Sequence, residues 1–192
     1  MIDTIRRAVH VFRAVIRQIV FGSSGDFDLS KLKARGLKIG ENCHILSGVI
    51  IDPSHCWHIE IGNNVTLAPR VHILAHDAST FMHLGYTRIG KVKIGDNVFI
   101  GAGSIVMPNV TIGSNTVIGA GSLVSKDVPD GVVVAGNPAK VICSLESFLE
   151  KHKRQMERLP RFEEEYTIVQ DVSPEMKEEM NRRMVEGQGY VR

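Results

Sequence analysis

Aliphatic residues return at every sixth position between residues 94 and 125 of this 192-residue chain. They are Ile94, Ile100, Val106, Ile112, Ile118 and Val124. Glycine follows four of the six. An α-helix repeats every 3.6 residues and a half-buried strand every two, so neither element produces this period. A period of six is typical of a β-helical solenoid, in which each hexad supplies one short strand and one turn.

Each aliphatic side chain of the repeat is expected to point inward and to stack on its equivalent in the next coil. Glycine then marks the bends, where a Cβ atom would obstruct the chain. The alternative to a solenoid is a set of ordinary β-hairpins that happen to have the same six-residue spacing. Six aliphatic residues in unbroken register disfavour this alternative. The general preference for right-handed crossovers favours a right-handed coil, and no residue in the repeat overrules it.

The same period occurs in an earlier block of the chain. Its members are Ile39, Ile45, Ile51, Ile61, Leu67 and Ile73. Residues 52–60 shift the register by four positions, and the repeat is absent between residues 75 and 93. Solenoids confine insertions to loops on one face, often the binding face. We therefore predict a β-helix over residues 31–142, with an extruded loop at residues 76–93 as a candidate functional segment.

The N-terminal region, residues 1–30, is predicted to be an amphipathic helix followed by a loop. Apolar residues recur at three- and four-residue steps from Ile5 to Ile19, which corresponds to about five helical turns. Arginines interrupt the apolar run and argue against a signal peptide or a spanning helix. A basic amphipathic helix can lie on a membrane surface. We favour instead a cap over the apolar end of the solenoid, which every repeat stack needs.

The C-terminal extension, residues 143–192, is predicted to be mostly helical. A helix over residues 144–158 should stop at Pro160, and residues 166–169 are consistent with a short strand. Ser173 and Pro174 form an N-cap and first-turn pair that opens a charged helix reaching about Val185. The end from Gly187 is expected to fray.

Composition excludes several classes of partner. The net charge of +2, without a basic stripe interleaved with aromatic residues, argues against nucleic-acid binding. Cys43, Cys56 and Cys143 are odd in number and widely spaced, so they form neither a disulfide framework nor a zinc site. A reducing, cytoplasmic location fits this pattern.

The closing stretch carries a family resemblance. Residues 119–142 read G-A-G-S-L-V-S-K-D-V-P-D-G-V-V-V-A-G-N-P-A-K-V-I, and residues 106–113 before them read V-M-P-N-V-T-I-G. This sequence resembles the hexapeptide-repeat acetyltransferases, especially the galactoside, maltose and capsular-sugar O-acetyltransferases. The resemblance covers residues 39 to about 142. It implies a left-handed β-helix, a homotrimer, acetyl-coenzyme A as acyl donor and no required metal.

The resemblance also implies a coenzyme-binding set. Its members are Ala102, Ala120, Ser125, Lys126 and Lys140. Small residues permit close approach of the backbone to pantetheine, and lysine ammonium groups can bind phosphates. Relatives carry a serine at the position of Ala102 and an arginine at that of Cys143, so one hydroxyl and one phosphate contact are in question here.

His76 is the candidate catalytic residue, because it matches the position of the family's catalytic histidine at the entrance to the extruded loop. An imidazole with an ordinary pKa of about 6.5 suits a general base near neutral pH. It would deprotonate an acceptor hydroxyl for direct attack on the thioester, with backbone N–H groups stabilising the oxyanion. Asp52 is a candidate hydrogen-bond partner of a sugar hydroxyl. Asp77 could orient an imidazole or cap the loop, whereas His72 and His83 are expected to pack or to face solvent.

Two other functions remain open at this stage. A γ-class carbonic anhydrase shares the solenoid but needs three histidines on zinc, and residues 94–124 contain no histidine. A non-catalytic scaffold is disfavoured by the presence of His76 and both lysines. The identity of the acceptor and the length of the acyl group are left open by the sequence.

Overall fold

A computed structural model describes residues 28–192 of the chain. The predicted N-terminal helix and most of the loop after it lie outside these residues. The described chain forms two compact units, which divide between Ser147 and Phe148.

The first unit begins with a short helix, α1 (Leu29–Ala34), which the sequence pattern did not predict. Asp28 caps it by accepting hydrogen bonds from the backbone N–H groups of Ser30 and Lys31. Six residues are too few to display a helical period, so the capping residue was the available signal.

Four successive coils follow, each built from three short strands. The strands of the first two coils are β1 (Lys38–Ile39), β2 (His44–Ile45), β3 (Ile50–Ile51), β4 (Ile59–Ile61), β5 (Thr66–Leu67) and β6 (His72–Ile73). An excursion then contains β7 (His76–Asp77), a 3₁₀ turn (Ala78–Thr80), α2 (Phe81–Leu84) and β8 (Arg88–Ile89). The last two coils are β9 (Val92–Ile94), β10 (Val98–Ile100), β11 (Ile105–Val106), β12 (Val110–Ile112), β13 (Thr116–Ile118) and β14 (Leu123–Val124).

Equivalent strands of successive coils pair in parallel to form three sheets. The first sheet has the order β1-β4-β9-β12, and the third has the order β3-β6-β11-β14. The second runs β2-β5-β10-β13 and is extended by β15 (Val132–Ala135) and the antiparallel β16 (Lys140–Ser144). Three turns connect the sheets within each coil, and we call them corners. The first corner leads from the first sheet to the second, and the second corner leads from the second sheet to the third. The third corner leads from the third sheet to the first sheet of the next coil.

The six-residue period is explained by the pairing register. Ile39, Ile61, Ile94 and Ile112 are aligned across the first sheet, and the other two sheets align their aliphatic residues in the same way. These side chains are buried in one continuous core, except that of Ile39, which is partly buried and packs against it. The predicted mainly parallel β-solenoid is therefore confirmed. Its second sheet continues to Ser144, two residues past the predicted boundary, and β9 resumes the coil at Val92, inside the predicted loop.

The first corner depends on residues that adopt a positive φ angle. The first corner places Asn42, Asn64, Asn97 and Asn115 in this conformation, which asparagine tolerates better than most residues. The Asn64 side-chain amide donates to Asn97 Oδ1, and that of Asn97 to Asn115 Oδ1, each at 3.1 Å. The glycines after the aliphatic residues serve a different purpose, since a Cβ on Gly101 would lie 2.5 Å from the backbone nitrogen of Ala120.

The second unit contains two helices and a small sheet. Its elements are the continuation of α3 (Leu145–Arg158), β17 (Arg161–Phe162), two 3₁₀ turns (Glu164–Tyr166 and Ile168–Gln170), α4 (Pro174–Arg183) and β18 (Tyr190–Val191). Ser173 caps α4 by accepting from the backbone N–H of Met176, as predicted. The guanidinium of Arg183 lies over the buried Phe162 ring, 4.6 Å from its centroid.

Two predictions for this unit are wrong. The expected strand at residues 166–169 is replaced by the 3₁₀ turns, in which Tyr166 donates a 2.8 Å hydrogen bond to Glu179 instead of joining a sheet. The expected frayed end is ordered, because β18 pairs in parallel with β17. Both errors concern contacts between residues distant in sequence, which local patterns do not report.

Candidate active site

Asp52 and His76 form a hydrogen-bonded pair at the third corner. Asp52 Oδ2 lies 2.5 Å from Nδ1 of His76. The carboxylate side chain has no solvent exposure, whereas 35% of the His76 side chain is exposed. A buried carboxylate therefore holds an imidazole that remains open to solvent.

The coil register brings these two residues together. Asp52 directly follows β3, and its backbone N–H donates to the carbonyl of Ile73, at the end of β6 in the next coil. The side chain then reaches the following turn, where Oδ2 also accepts from the backbone N–H of Ala75 at 2.9 Å. His76 is the next residue, so its ring meets the same oxygen.

The second carboxylate oxygen of Asp52 organises the break in the repeat. Oδ1 accepts from the backbone N–H groups of Ser54 and His55, at 2.9 and 3.3 Å. Burial alone raises the pKa of Asp52, but the hydrogen bonds from His76, Ala75 and Ser54 outweigh it, and the pKa lies below its ordinary value. Asp52 is consequently an anion at neutral pH.

This geometry revises the predicted role of Asp52. All its oxygen contacts are inside the protein, and the side chain is unexposed, so the carboxylate does not face a sugar hydroxyl. It contacts the imidazole instead, which is the role that the sequence left open for Asp77. Asp77 accepts from the backbone N–H of Ser79 and so caps the 3₁₀ turn of the excursion.

With Nδ1–H donated to Asp52, a neutral His76 keeps the lone pair of Nε2 for an incoming proton. Such a pair can act as a general base, with the tautomer of the imidazole set by the buried carboxylate. Sequence reasoning identified both residues but not their contact.

The predicted coenzyme residues lie on two corners and one strand, and all are exposed. Ala102 and Ala120 stack at the second corner, where the carbonyl of Ala102 accepts from the backbone N–H of Gly121. Ser125 and Lys126 follow β14 at the third corner, the corner of His76. Strands of the third sheet therefore separate the two alanines from these residues. Lys140 begins β16.

Sequence reasoning missed a cluster of three aromatic residues, His55, Trp57 and His58, of which His55 lies beside the Asp–His pair. The ring of His55 lies 5.3 Å from that of His76 and 5.3 Å from that of Trp57, measured between centroids. His58 stacks on His55 with a centroid separation of 6.2 Å. They occupy the irregular residues between β3 and β4, where no periodic pattern marks the direction of a side chain. Asp52, His55 and His76 each offer one possible metal-ligand atom, and these three atoms lie within 4.8 Å of one another. They are close enough together to bind one metal ion.

The excursion carries an exposed apolar surface. Its members are Phe81, Met82, Leu84, Tyr86 and Ile89, each more than half exposed. Strands β7 and β8 close the base of the excursion as an antiparallel pair, in which His76 is aligned with Ile89. The excursion therefore begins at the candidate base itself.

Comparisons with known proteins agree with this architecture. Residues 91–126 match the family model described as bacterial transferase hexapeptide (six repeats). Protein CapG of Staphylococcus aureus is 43% identical over 129 residues, which are 63% of this chain and 73% of that protein. A hexapeptide-repeat acetyltransferase from Vibrio cholerae O1 biovar eltor, solved with acetyl-coenzyme A, has a TM-score of 0.52 and 29% identity over 58% of this chain and 61% of its own. A galactoside acetyltransferase solved with coenzyme A has a TM-score of 0.51 and 28% identity over 72% of this chain and 80% of its own.

The parallel coils and these similarities define a β-helical acyltransferase, and the solved neighbours imply a left-handed coil. The chain belongs to the hexapeptide-repeat acetyltransferase family. This confirms the resemblance read from residues 119–142. Within residues 28–192, the helices are too short or too polar to cross a bilayer.

Proposed function

We propose that this protein is an O-acetyltransferase that moves the acetyl group of acetyl-coenzyme A to a hydroxyl group of a sugar or a sugar-containing acceptor. The observation that carries the proposal is the Asp52–His76 pair, in which a buried anion holds Nδ1–H of a partly exposed imidazole. The structures of the family solved with acetyl-coenzyme A and coenzyme A support the donor. The galactoside acetyltransferase among them supports a sugar acceptor.

The reaction requires one proton acceptor and no covalent enzyme intermediate. Nε2 of His76 takes the proton of the acceptor hydroxyl as its oxygen attacks the thioester carbonyl carbon. Asp52 stabilises the imidazolium that forms. The tetrahedral intermediate collapses by breaking the carbon–sulfur bond, and the imidazolium returns its proton to the departing thiolate. The products are an acetyl ester and free coenzyme A.

In this proposal the five predicted coenzyme residues hold the donor. Ala102 and Ala120 leave room for pantetheine beside the backbone, and the ammonium groups of Lys126 and Lys140 bind phosphate. Ala102 has no hydroxyl, so stabilisation of the oxyanion falls to backbone N–H groups.

The active unit in this proposal is a homotrimer. Two of the donor-binding residues, Ala102 and Ala120, lie on the second corner, whereas His76 lies on the third, on the opposite edge of the third sheet. If the third corner of one copy faces the second corner of the next, the base and the predicted donor groove meet at the boundary between copies. The exposed apolar excursion then has a neighbouring surface to cover.

The test is acetyl transfer by His76→Ala, followed as release of free thiol from acetyl-coenzyme A with a panel of free and nucleotide-linked sugars. Loss of a general base should lower turnover by roughly two to four orders of magnitude. The reactions contain a chelator. His44→Ala, which changes a histidine on β2 of the second sheet, is the matched control. A His76→Ala protein that folds normally and releases thiol at the wild-type rate would refute the proposed base.

A further inference from the structure

His55 has a polar atom without a partner beside the candidate base. Its Nδ1 is buried and makes no hydrogen bond to any residue in the described range 28–192. A buried polar group left in this state destabilises the folded chain, so it calls for an explanation. General acid–base catalysis by His76 does not use this nitrogen, so the catalytic proposal leaves it unexplained.

The surroundings of His55 are those of a cation ligand. The carboxylate of Asp52 holds both histidines, since Oδ1 accepts from the His55 backbone and Oδ2 from the His76 ring. One donor atom from each of the three residues lies within 4.8 Å of the other two. The lowered pKa of Asp52 keeps a negative charge at this point at neutral pH.

Two imidazole nitrogens and one carboxylate oxygen are a ligand set that suits Zn²⁺ and related divalent transition metals. Ca²⁺ and Mg²⁺ prefer oxygen ligands and do not match it. The rings of His55 and His76 are 5.3 Å apart between centroids, so a shared ion needs only a small adjustment of side chains. Ligation by both members of the Asp–His pair requires the 2.5 Å contact to open, because each ligand atom lies about 2.0–2.2 Å from zinc.

We propose that Asp52, His55 and His76 bind a divalent transition-metal ion of the Zn²⁺ type, and that the bound ion switches off the base. The inhibitory part rests on the proposed role of His76, whereas the binding part does not.

Either mode of ligation removes the base. An ion on Nε2 of His76 occupies the lone pair that would accept the hydroxyl proton. An ion on Nδ1 displaces the proton shared with Asp52, and a neutral ring then carries its proton on Nε2, where it cannot accept another. In the second case the proton moves from Nδ1 to Nε2 by exchange with solvent, so the ring stays neutral and no proton is released overall.

The binding test uses Co²⁺ as a spectroscopic substitute for zinc. Cobalt is titrated into the chelator-treated full-length protein, and its visible absorption reports the ligand field. Zn²⁺ affinity follows from displacement of the cobalt. We expect one ion per chain. His55→Ala should weaken binding by at least about tenfold, the lower end of what disturbing a metal's ligand environment costs.

His58→Ala is the matched control, because His58 ends the short 3₁₀ turn (Cys56–His58) that directly follows His55 but lies outside the ligand group. It should bind cobalt as the wild type does. A wild type that binds no cobalt, or equal affinities in the wild type and His55→Ala, would overturn the metal site.

The inhibition test measures thiol release at rising free Zn²⁺, with each variant compared with its own rate in chelator. Zinc should inhibit the wild type and His58→Ala, and about tenfold more should be needed for His55→Ala. Zinc binding without inhibition overturns the proposed switch. If the wild type transfers no acetyl group even in chelator, the proposed function fails, and the cobalt comparison still decides the metal site.

Discussion

Replacing Asp52 by asparagine tests the candidate site most directly, because it changes one oxygen into an amide nitrogen of nearly the same size. The carboxylate accepts hydrogen bonds from the His76 ring and from three backbone N–H groups, and the backbone donors cannot reverse their polarity. Those donors contact both oxygens. Whichever way the substituted side chain turns, its NH₂ group therefore faces at least one backbone donor.

The cost can be estimated from that conflict. One buried donor left without an acceptor destabilises a fold by roughly 1–3 kcal/mol. We expect Asp52→Asn to lose about this much unfolding free energy at pH 7. Turnover should fall further than stability suggests, by roughly two to four orders of magnitude, because the imidazole loses the anion that sets its tautomer.

The acid dependence supplies a second readout with a definite sign. The folded pKa of Asp52 is below its ordinary value, so the unfolded chain binds the proton more readily. The stabilisation is present above the unfolded pKa of about 3.9 and is lost as the pH falls through the folded value. The difference in unfolding free energy between the wild type and Asp52→Asn should therefore become smaller as the pH falls from about 5 to about 3. The histidines of the unfolded chain are protonated throughout this range, so their titration does not cause the change.

The assay combines urea unfolding at pH 7, 5 and 3 with thiol release at neutral pH. Asp77→Asn is the control, because this neighbouring carboxylate caps the excursion and forms an exposed ion pair with Arg88 at 3.8 Å but has no hydrogen bond to the imidazole among the described residues. Asparagine caps about as well as aspartate, so turnover should stay near the wild-type value and the loss of unfolding free energy should be less than about 1 kcal/mol. The reasoning fails if Asp52→Asn retains wild-type turnover, or if its stability deficit is the same at pH 3 as at pH 5.

Two further predictions concern the donor and the core. Lys140→Ala should raise the KM for acetyl-coenzyme A more than it lowers kcat, because a remote phosphate contact stabilises the bound substrate and the transition state about equally. Steady-state measurement of thiol release checks this. A decrease in kcat with unchanged KM would place the lysine nearer the reacting atoms. Ile112→Ala should cost about 2–5 kcal/mol of unfolding free energy, because this side chain is only 1% exposed in the core. Thr111→Ala, on the outer face of the same strand, should cost less than about 1 kcal/mol, and equal losses in urea unfolding would contradict the assigned faces.

Local sequence was sufficient for the solenoid because its constraint is local. Each hexad forms one of the three faces of a coil, so one residue in every six points into the core and must be aliphatic. The next residue must often be glycine, because a Cβ there would collide with the next coil, as at Gly101. The same locality explains why Ser173 and Pro174 marked the start of α4. His76 was predicted mainly from the family resemblance, which identifies the position where the repeat stops.

The partner of His76 was decided by the tertiary structure. Asp52 stands 24 positions earlier, at the start of the break in the repeat. Sequence spacing does not determine which side chain of the first coil lies next to a given residue of the second. The parallel register of β3 and β6 makes that choice, with Ile51 aligned to Ile73. The same applies to His55, whose irregular segment carries no period, and to β18, which pairs with a strand distant in sequence. Periodicity determines which residues face the core, whereas the contacts of corners and breaks depend on how separate coils are stacked, and that is a property of the folded chain.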